Sequence, residues 1–326
     1  MLQQTQVATV INYFHRFLAA YPNVNSLAEA DEQEVLRLWS GLGYYRRARQ
    51  MHAAAKIVAS AGGRFPSTLA EIEALPGVGR YTAGAIASFA FDLPASIVEA
   101  NTQRLFSRLL RLDVDPRSRH GQAQLWGFAQ ALVETKKHPP SRINQAVMEI
   151  GSQICTPRNP NCPECPLNQL CPTYADGLQA TIPMAAPKKV ITALTHVAFL
   201  IRDRGQLLML QNSSEQWWTG LWDLPRVDVT HADNFSDKLF SAKALSSADL
   251  DWLASELALQ HGISCTVDKY HCKFKHSVTR YRITLHTFAA TVTSRAKRTQ
   301  NLAWHLPHSA LQLPLTASAK KILTSL

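Results

Sequence analysis

Four cysteines, Cys155, Cys162, Cys165 and Cys171, follow a C-x6-C-x2-C-x5-C pattern within seventeen residues. That spacing is tight enough to gather four thiolates around one compact centre, and such a set holds either a zinc ion or a cubane iron–sulfur cluster. Zinc ribbons usually use two C-x2-C steps separated by a longer loop, whereas this spacing is asymmetric. Prolines 163, 166 and 172 with Arg158 make the segment a rigid loop with a cationic edge. Cys265 and Cys272 lie far away and read as ordinary buried or surface thiols. A second chemical feature is Gly77-Val78-Gly79, two glycines bracketing an apolar residue just before a small-residue segment. A turn of this kind exposes successive backbone N–H groups at a helix N-terminus, where a phosphate is held. Arg46, Arg47 and Arg49 follow Tyr44 and Tyr45, and Arg104, Arg108 and Arg111 share one face of a helix, from which they are expected to reach backbone phosphates. Thirty-four Lys and Arg against 24 Asp and Glu leave +10 at pH 7, a surplus that favours a polyanionic partner.

The elements that must position these groups fall into two regimes. Up to about residue 173 the apolar residues recur at three and four: Val7, Val10, Ile11, Phe14, Phe17 and Leu18, then Val35, Leu36, Leu38 and Trp39, then Leu105, Leu109 and Leu112. This pattern predicts an all-helical first domain over 1–173, with the cysteine loop at 155–171. Residues 174–190, with Pro183 and Pro187 and closing on Lys188 and Lys189, read as a linker. Beyond it the period is two, at 196–201, 207–210 and 281–288, and 316–326 reads as a closing helix, so 191–326 is expected to be a smaller α+β domain. No apolar run reaches the eighteen or so residues of a membrane span, and the N-terminus lacks the order of a signal peptide. An intracellular, reducing compartment follows, in which six cysteines are not expected to pair as disulfides.

Leu75-Pro-Gly-Val-Gly-Arg-Tyr-Thr-Ala-Gly-Ala-Ile86, followed at a matching distance by the cysteine loop, resembles the helix-hairpin-helix and cluster loop of the endonuclease III and MutY superfamily. Residues 1–7 and Gly41-Leu-Gly-Tyr-Tyr-Arg-Arg-Ala-Arg49 are similar to the MutY adenine DNA glycosylases, as is the stretch from Pro94 to Arg108. Gln211 to Pro225 resembles the Gly-Leu-Trp-x-Phe-Pro element of their Nudix-like C-terminal domain.

The resemblance implies a mainly α helix-hairpin-helix glycosylase domain with a 4Fe-4S cluster held by Cys155, Cys162, Cys165 and Cys171, followed by a smaller α+β Nudix-like domain that reads the lesion. It implies removal of adenine mispaired with oxidised guanine or guanine, on double-stranded DNA, by a monomer in the bacterial cytoplasm at the nucleoid. Cleavage of an N-glycosidic bond passes through a cationic, oxocarbenium-like sugar that a nearby carboxylate stabilises. Glu99 falls on the family's catalytic aspartate, with Ala100 where the family has glycine, and Asn101 would orient it. Tyr81 stands where strand-nicking relatives carry a Schiff-base lysine, so the chain is expected to be monofunctional. Gln4 and Tyr44 would be wedges inserted as the base leaves, with Gln3, Thr5 and Arg47 near the duplex. Gly77, Val78, Gly79 and Arg104 would hold the backbone, and Phe274-Lys275-His276 would occupy the place of a Phe-Ser-His loop that reads oxidised guanine. Only Glu256 marks the segment where a pyrophosphatase would need paired glutamates for magnesium, so that chemistry is not expected. The family's adenine-protonating glutamate falls two residues before the position of Met1, so the chain as given is expected to excise adenine at least about a hundredfold more slowly than an upstream-extended form. The alternatives are an endonuclease III-type pyrimidine glycosylase and a non-catalytic binder of damaged DNA.

Overall fold

The structure, a computed structural model, describes residues 1–3, 5–187, 190–213, 216–232, 245–294 and 301–326. Its contacts group the chain into two compact units, one of Met1–His52 with Lys189–Leu326 and one of Ala53–Lys188.

The second of these is helical. It contains α5 (Leu69–Glu73), α6 (Arg80–Phe91), α7 (Ala100–Leu109), α8 (Arg119–Val133), α9 (Pro140–Glu149) and α10 (Pro172–Ala175), with a π-turn at Ile150–Ile154. Caps fix the helix starts. Thr68 accepts from Glu71 N, Ser118 from Gly121 N, and Pro140 opens α9 with the φ that a first turn requires. The inward stripe of α7, Leu105 and Phe106, meets Leu125 and Ala129 of α8 and Val147 of α9 in one core. Ile72, Ala83, Ala87 and Ala95 form a second core whose small side chains let α5 and α6 approach closely.

In the other unit, α1 (Val7–Ala20), α2 (Val24–Glu29) and α3 (Glu32–Trp39) are followed by the first half of α4 (Arg46–Ser60), which runs on past His52. Val10, Phe17, Val35, Leu36 and Trp39 pack together, and the core is closed by Leu221, which is fully buried. The outer face of α1 leaves Val7, Ile11, Phe14 and Leu18 exposed at the same helical spacing.

The rest of this unit is a mixed sheet of β1 (Thr192–Asp203), β2 (Gln206–Gln211), β3 (Trp222–Asp223), β4 (Arg226–Asp228), β5 (Cys265–Val278), β6 (Tyr281–Val292) and β7 (Leu302–His305). The path is β3-β2-β1-β6-β5, with β4 on β1 and β7 on β2; β1 runs parallel to β6, and β5 antiparallel to it. Alternation sends Val197, Phe199 and Ile201 to one face, against Leu253 and Leu257 of α11 (Ser247–His261). Ala198 and Leu200 go to the other, against Ile322 and Leu323 of α13 (Ala317–Leu323), which follows the short α12 (Pro307–Ala310). Both faces are covered, as a central strand with a near-continuous apolar run requires.

Candidate functional site

The glycine turn forms as its sequence requires. Gly77 adopts φ +78°, Val78 N–H donates to Leu75 O at 3.1 Å, and Gly79 precedes α6 without a side-chain cap. Gly77 and Gly79 are exposed and Val78 is half-buried, so the first-turn amides of α6 open toward solvent with the positive end of the helix dipole. Arg80 lies over the Trp126 ring at 3.8 Å. Tyr81 turns inward, and burial first, then the negative charge of Glu99, pushes its phenol above the ordinary range.

Glu99 is the N-cap of α7. Its Oε1 accepts from Asn101 N at 2.8 Å and Thr102 N at 2.9 Å, while Thr102 Oγ1 accepts from Glu99 N at 2.8 Å and closes a capping box. Among the described residues Oε2 takes no hydrogen bond, so one carboxylate oxygen is fixed by the helix and the other is left for a ligand. Asn101 does not bond the carboxylate through its side chain. Its Oδ1 instead accepts from Arg104 Nη2 at 3.0 Å.

Arg104 corrects an expectation drawn from helical spacing. It is 8% exposed, and it donates from Nε to Cys155 O at 2.6 Å and from Nη2 to Gly151 O at 2.6 Å as well as to Asn101. Arg108 is buried in the same way, and neither guanidinium can reach a phosphate while so engaged. Arg111 alone of the three faces out, past the end of α7, where it pairs with Asp176 at 2.5 Å. A 3.6-residue period places three arginines on one face but does not say whether that face meets solvent or a loop rich in carbonyl oxygens.

That loop is the cysteine segment. Cys155, Cys162, Cys165 and Cys171 line one small cavity together with Leu105, Arg108 and other apolar and polar neighbours. Around a single zinc ion, bonds of about 2.3 Å would bring the sulfurs to about 3.8 Å of one another. A cubane carries one cysteine on each of four irons and spaces its sulfurs more widely. Two buried guanidinium groups, Arg104 and Arg108, bond to Cys155 beside the cavity with no ion pair to a carboxylate among the described residues, and they fit a centre that carries net negative charge.

In the other unit, Tyr44 is 59% exposed in the left-handed region at φ +47°. Arg47 lies over its ring at 5.3 Å and over Trp39 at 5.4 Å. The donors of Arg47 go to its own chain: Met1 O at 2.9 Å, Gln3 O, Thr5 Oγ1 at 3.1 Å and Gly43 O at 3.3 Å. Arg47 therefore anchors the Gln3 and Thr5 segment to the Tyr44 turn instead of offering its charge to a duplex. Gln4 lies outside the described residues. Phe274-Lys275-His276 is a further correction, since these residues form no loop: they sit inside β5, paired with Leu285, Thr284 and Ile283 of β6. Phe274 packs on the core and His276 is half-buried against Trp218, so only Lys275 points to solvent. Burial, and secondarily Arg226, pushes the His276 imidazole down to about 4. Sequence reasoning missed the roles of Thr102 and Arg108; the capping-box spacing from Glu99 to Thr102 was the one signal available for the first.

Residues 1–130 match the HhH-GPD superfamily of base excision DNA repair proteins, 155–171 the iron-sulfur binding domain of endonuclease III, and 196–325 a NUDIX domain. The mouse adenine DNA glycosylase is 47% identical over 176 residues, 53% of this chain and 34% of the mouse protein. That of Buchnera aphidicola subsp. Schizaphis graminum is 35% identical over 230 residues, 70% of this chain and 66% of that protein. The chain thus spans about a third of the length of its mammalian relatives. A thermostable thymine-DNA glycosylase structure is 29% identical with a TM-score of 0.49, covering 54% of this chain and 80% of that one. The cysteine loop is accordingly a 4Fe-4S segment.

Proposed function

The chain belongs to the HhH-GPD superfamily of base excision DNA repair proteins, alongside the adenine DNA glycosylases, and from that premise we propose that it removes adenine mispaired with oxidised guanine or guanine. The observation that carries the reading is the Glu99 carboxylate, fixed at the start of α7 by two backbone donors, together with the exposed first-turn amides of α6. The amides would hold a backbone phosphate, and the free oxygen of Glu99 would face the sugar as positive charge develops there. Glu99 Oε1 is held by two backbone donors, which fixes the direction of that charge without help from substrate. Tyr81 offers no amine, so the product would be an abasic site in an unbroken strand.

Double-stranded DNA would be the partner, with Gln4 and Tyr44 as the wedges, Gln3 and Thr5 near the duplex, and Lys275 meeting the backbone or the opposite base. The matched segments support a glycosylase domain over 1–173, a linker over 174–190 and a Nudix-like lesion-reading domain over 191–326. A monomer working in the cytoplasm at the nucleoid completes the reading. Among the described residues no helix is long and apolar enough to cross a membrane.

The four cysteines would hold the cluster, which supplies charge and rigidity to the loop. Cys155 connects it to Glu99 through Arg104 and Asn101. The test is a single-turnover assay on duplexes carrying adenine opposite 8-oxoguanine, adenine opposite guanine, or thymine glycol. Adenine release from the first two supports the reading, and release of thymine glycol alone would replace it with a pyrimidine glycosylase.

A further inference from the structure

Arg108 is 3% exposed, and its side chain is bonded wholly to the cysteine segment and the stretch that follows it. Nε donates to Ile182 O at 2.9 Å, Nη1 to Thr156 O at 2.9 Å and to Cys155 Sγ at 3.2 Å, and Nη2 to Gln179 O at 2.8 Å. Its backbone is gripped too, with Thr173 Oγ1 donating to Arg108 O at 2.6 Å and Cys171 Sγ lying 3.7 Å from the same oxygen. Among the described residues no carboxylate pairs with this guanidinium. Arg104, one turn earlier, stops at the backbone oxygen of Cys155 and touches no sulfur. Gln179 Nε2 approaches Cys162 Sγ at 3.8 Å, a longer contact without formal charge.

We propose that Arg108 sets the reduction potential of the iron–sulfur cluster, by donating an N–H to the ligating sulfur of Cys155 and holding a fixed positive charge beside the cluster. The inference rests on the cluster and is independent of which base the protein removes. When the cluster takes up one electron from an electrode or an outside donor, negative charge grows on its sulfurs. A hydrogen-bond donor and a cation stabilise that state more than the electron-poor one, so Arg108 raises the potential. No bond forms or breaks and no proton moves, because a guanidinium stays protonated throughout. Four protein acceptors hold the planar group in one orientation, so the N–H···S contact is built into the fold.

The test is protein-film voltammetry of the holoprotein, without DNA, on wild type, Arg108→Gln and Arg108→Lys, each checked for four irons per chain. Arg108→Gln should shift the oxidised-to-reduced ratio at fixed applied potential at least tenfold toward oxidised, a drop of about 59 mV for one electron. Arg108→Lys, which keeps the charge without the fork, should fall between. A change below twofold in fully loaded Arg108→Gln protein would overturn the proposal. Should the variants lose iron, wild type grown on 15N-guanidino arginine decides the matter: pulsed electron paramagnetic resonance of the paramagnetic cluster should show coupling to a guanidinium nitrogen, and its absence rejects the inference.

Discussion

Trp222 donates its indole N–H to Gln33 Oε1 at 3.2 Å, and the amide nitrogen of the same Gln33 donates to Gly220 O at 3.2 Å. Two residues 189 positions apart in sequence thereby lock the β3 entrance to α3, with Leu221 between them sunk among Val35, Leu36 and Trp39.

Gln33→Leu should leave the Trp222 N–H without its partner and the Gly220 carbonyl with Gln211 Nε2 in place of two donors, and lower stability by about 1–3 kcal/mol, read from the urea midpoint. Gly220→Ala should cost at least as much. Gly220 sits at φ +82°, and a Cβ there would lie 3.1 Å from Leu36 Cδ1. Unchanged midpoints in both variants would show that this latch contributes nothing.

Glu99→Ala removes a cap and a charge in one step. The cap should appear as a loss of about 0.5–2 kcal/mol in thermal unfolding, and the charge as a fall in adenine excision of about 10²- to 10³-fold in single turnover. Glu99→Gln separates the two, since the amide oxygen still caps α7 while the charge is gone. Its excision should match that of Glu99→Ala, and its melting temperature should stay near that of wild type.

Arg104→Met should leave Asn101 Oδ1, Gly151 O and Cys155 O unpaired in the interior, at about 1–3 kcal/mol for each group. The purified variant should carry less than the full iron content and bleach faster under chelator, followed by the visible absorbance of the cluster. Its salt dependence of DNA binding should equal that of wild type, because the residue is turned inward. A slope reduced by about one would mean that Arg104 contacts a phosphate after all.

The pH dependence of folding should be acidic in origin. His276 and His286 are each pushed down to about 4 by burial, against an ordinary imidazole near 6.5. Between those values the unfolded chain binds protons that the folded chain does not, so stability is full above about 6.5 and falls as pH drops toward 4. His276→Phe should flatten that slope in urea titrations at pH 4–7. An unaltered slope would place the proton uptake elsewhere.

Borohydride should trap no covalent adduct with substrate DNA, since Tyr81 and its neighbours present no amine. A stable adduct in good yield would remove the monofunctional reading.

The parts legible in sequence were those written in short-range spacing. Cysteine intervals, the glycine turn and the switch from a 3.6 to a 2 period each describe a few adjacent residues, and the structure forms the corresponding loop, helix start and strands. What failed was direction. The stripe Arg104, Arg108 and Arg111 has the same period whether it meets water or a loop of carbonyls, and only the folded cysteine segment decides that two of the three turn inward. Phe274 and His276 alternate with Lys275 in the manner of a strand with one buried face, yet the resemblance to a loop outweighed that local pattern. The docking of Leu221 with α3 was beyond reach, because nothing near either residue names its partner.

That docking also dictates an order of events during synthesis. Helices α1 to α3 leave the ribosome with a gap in their core that Leu221 and Trp218 close, roughly 180 residues later in translation. Until then one side of the cluster of Val35, Leu36 and Trp39 faces either water or a chaperone, while residues 53–188, whose contacts are nearer in sequence, have everything they need to condense first. The middle of this chain would thus fold ahead of its beginning, and a stalled or truncated product ending before residue 221 would expose an apolar helical hairpin suited to recognition by quality control.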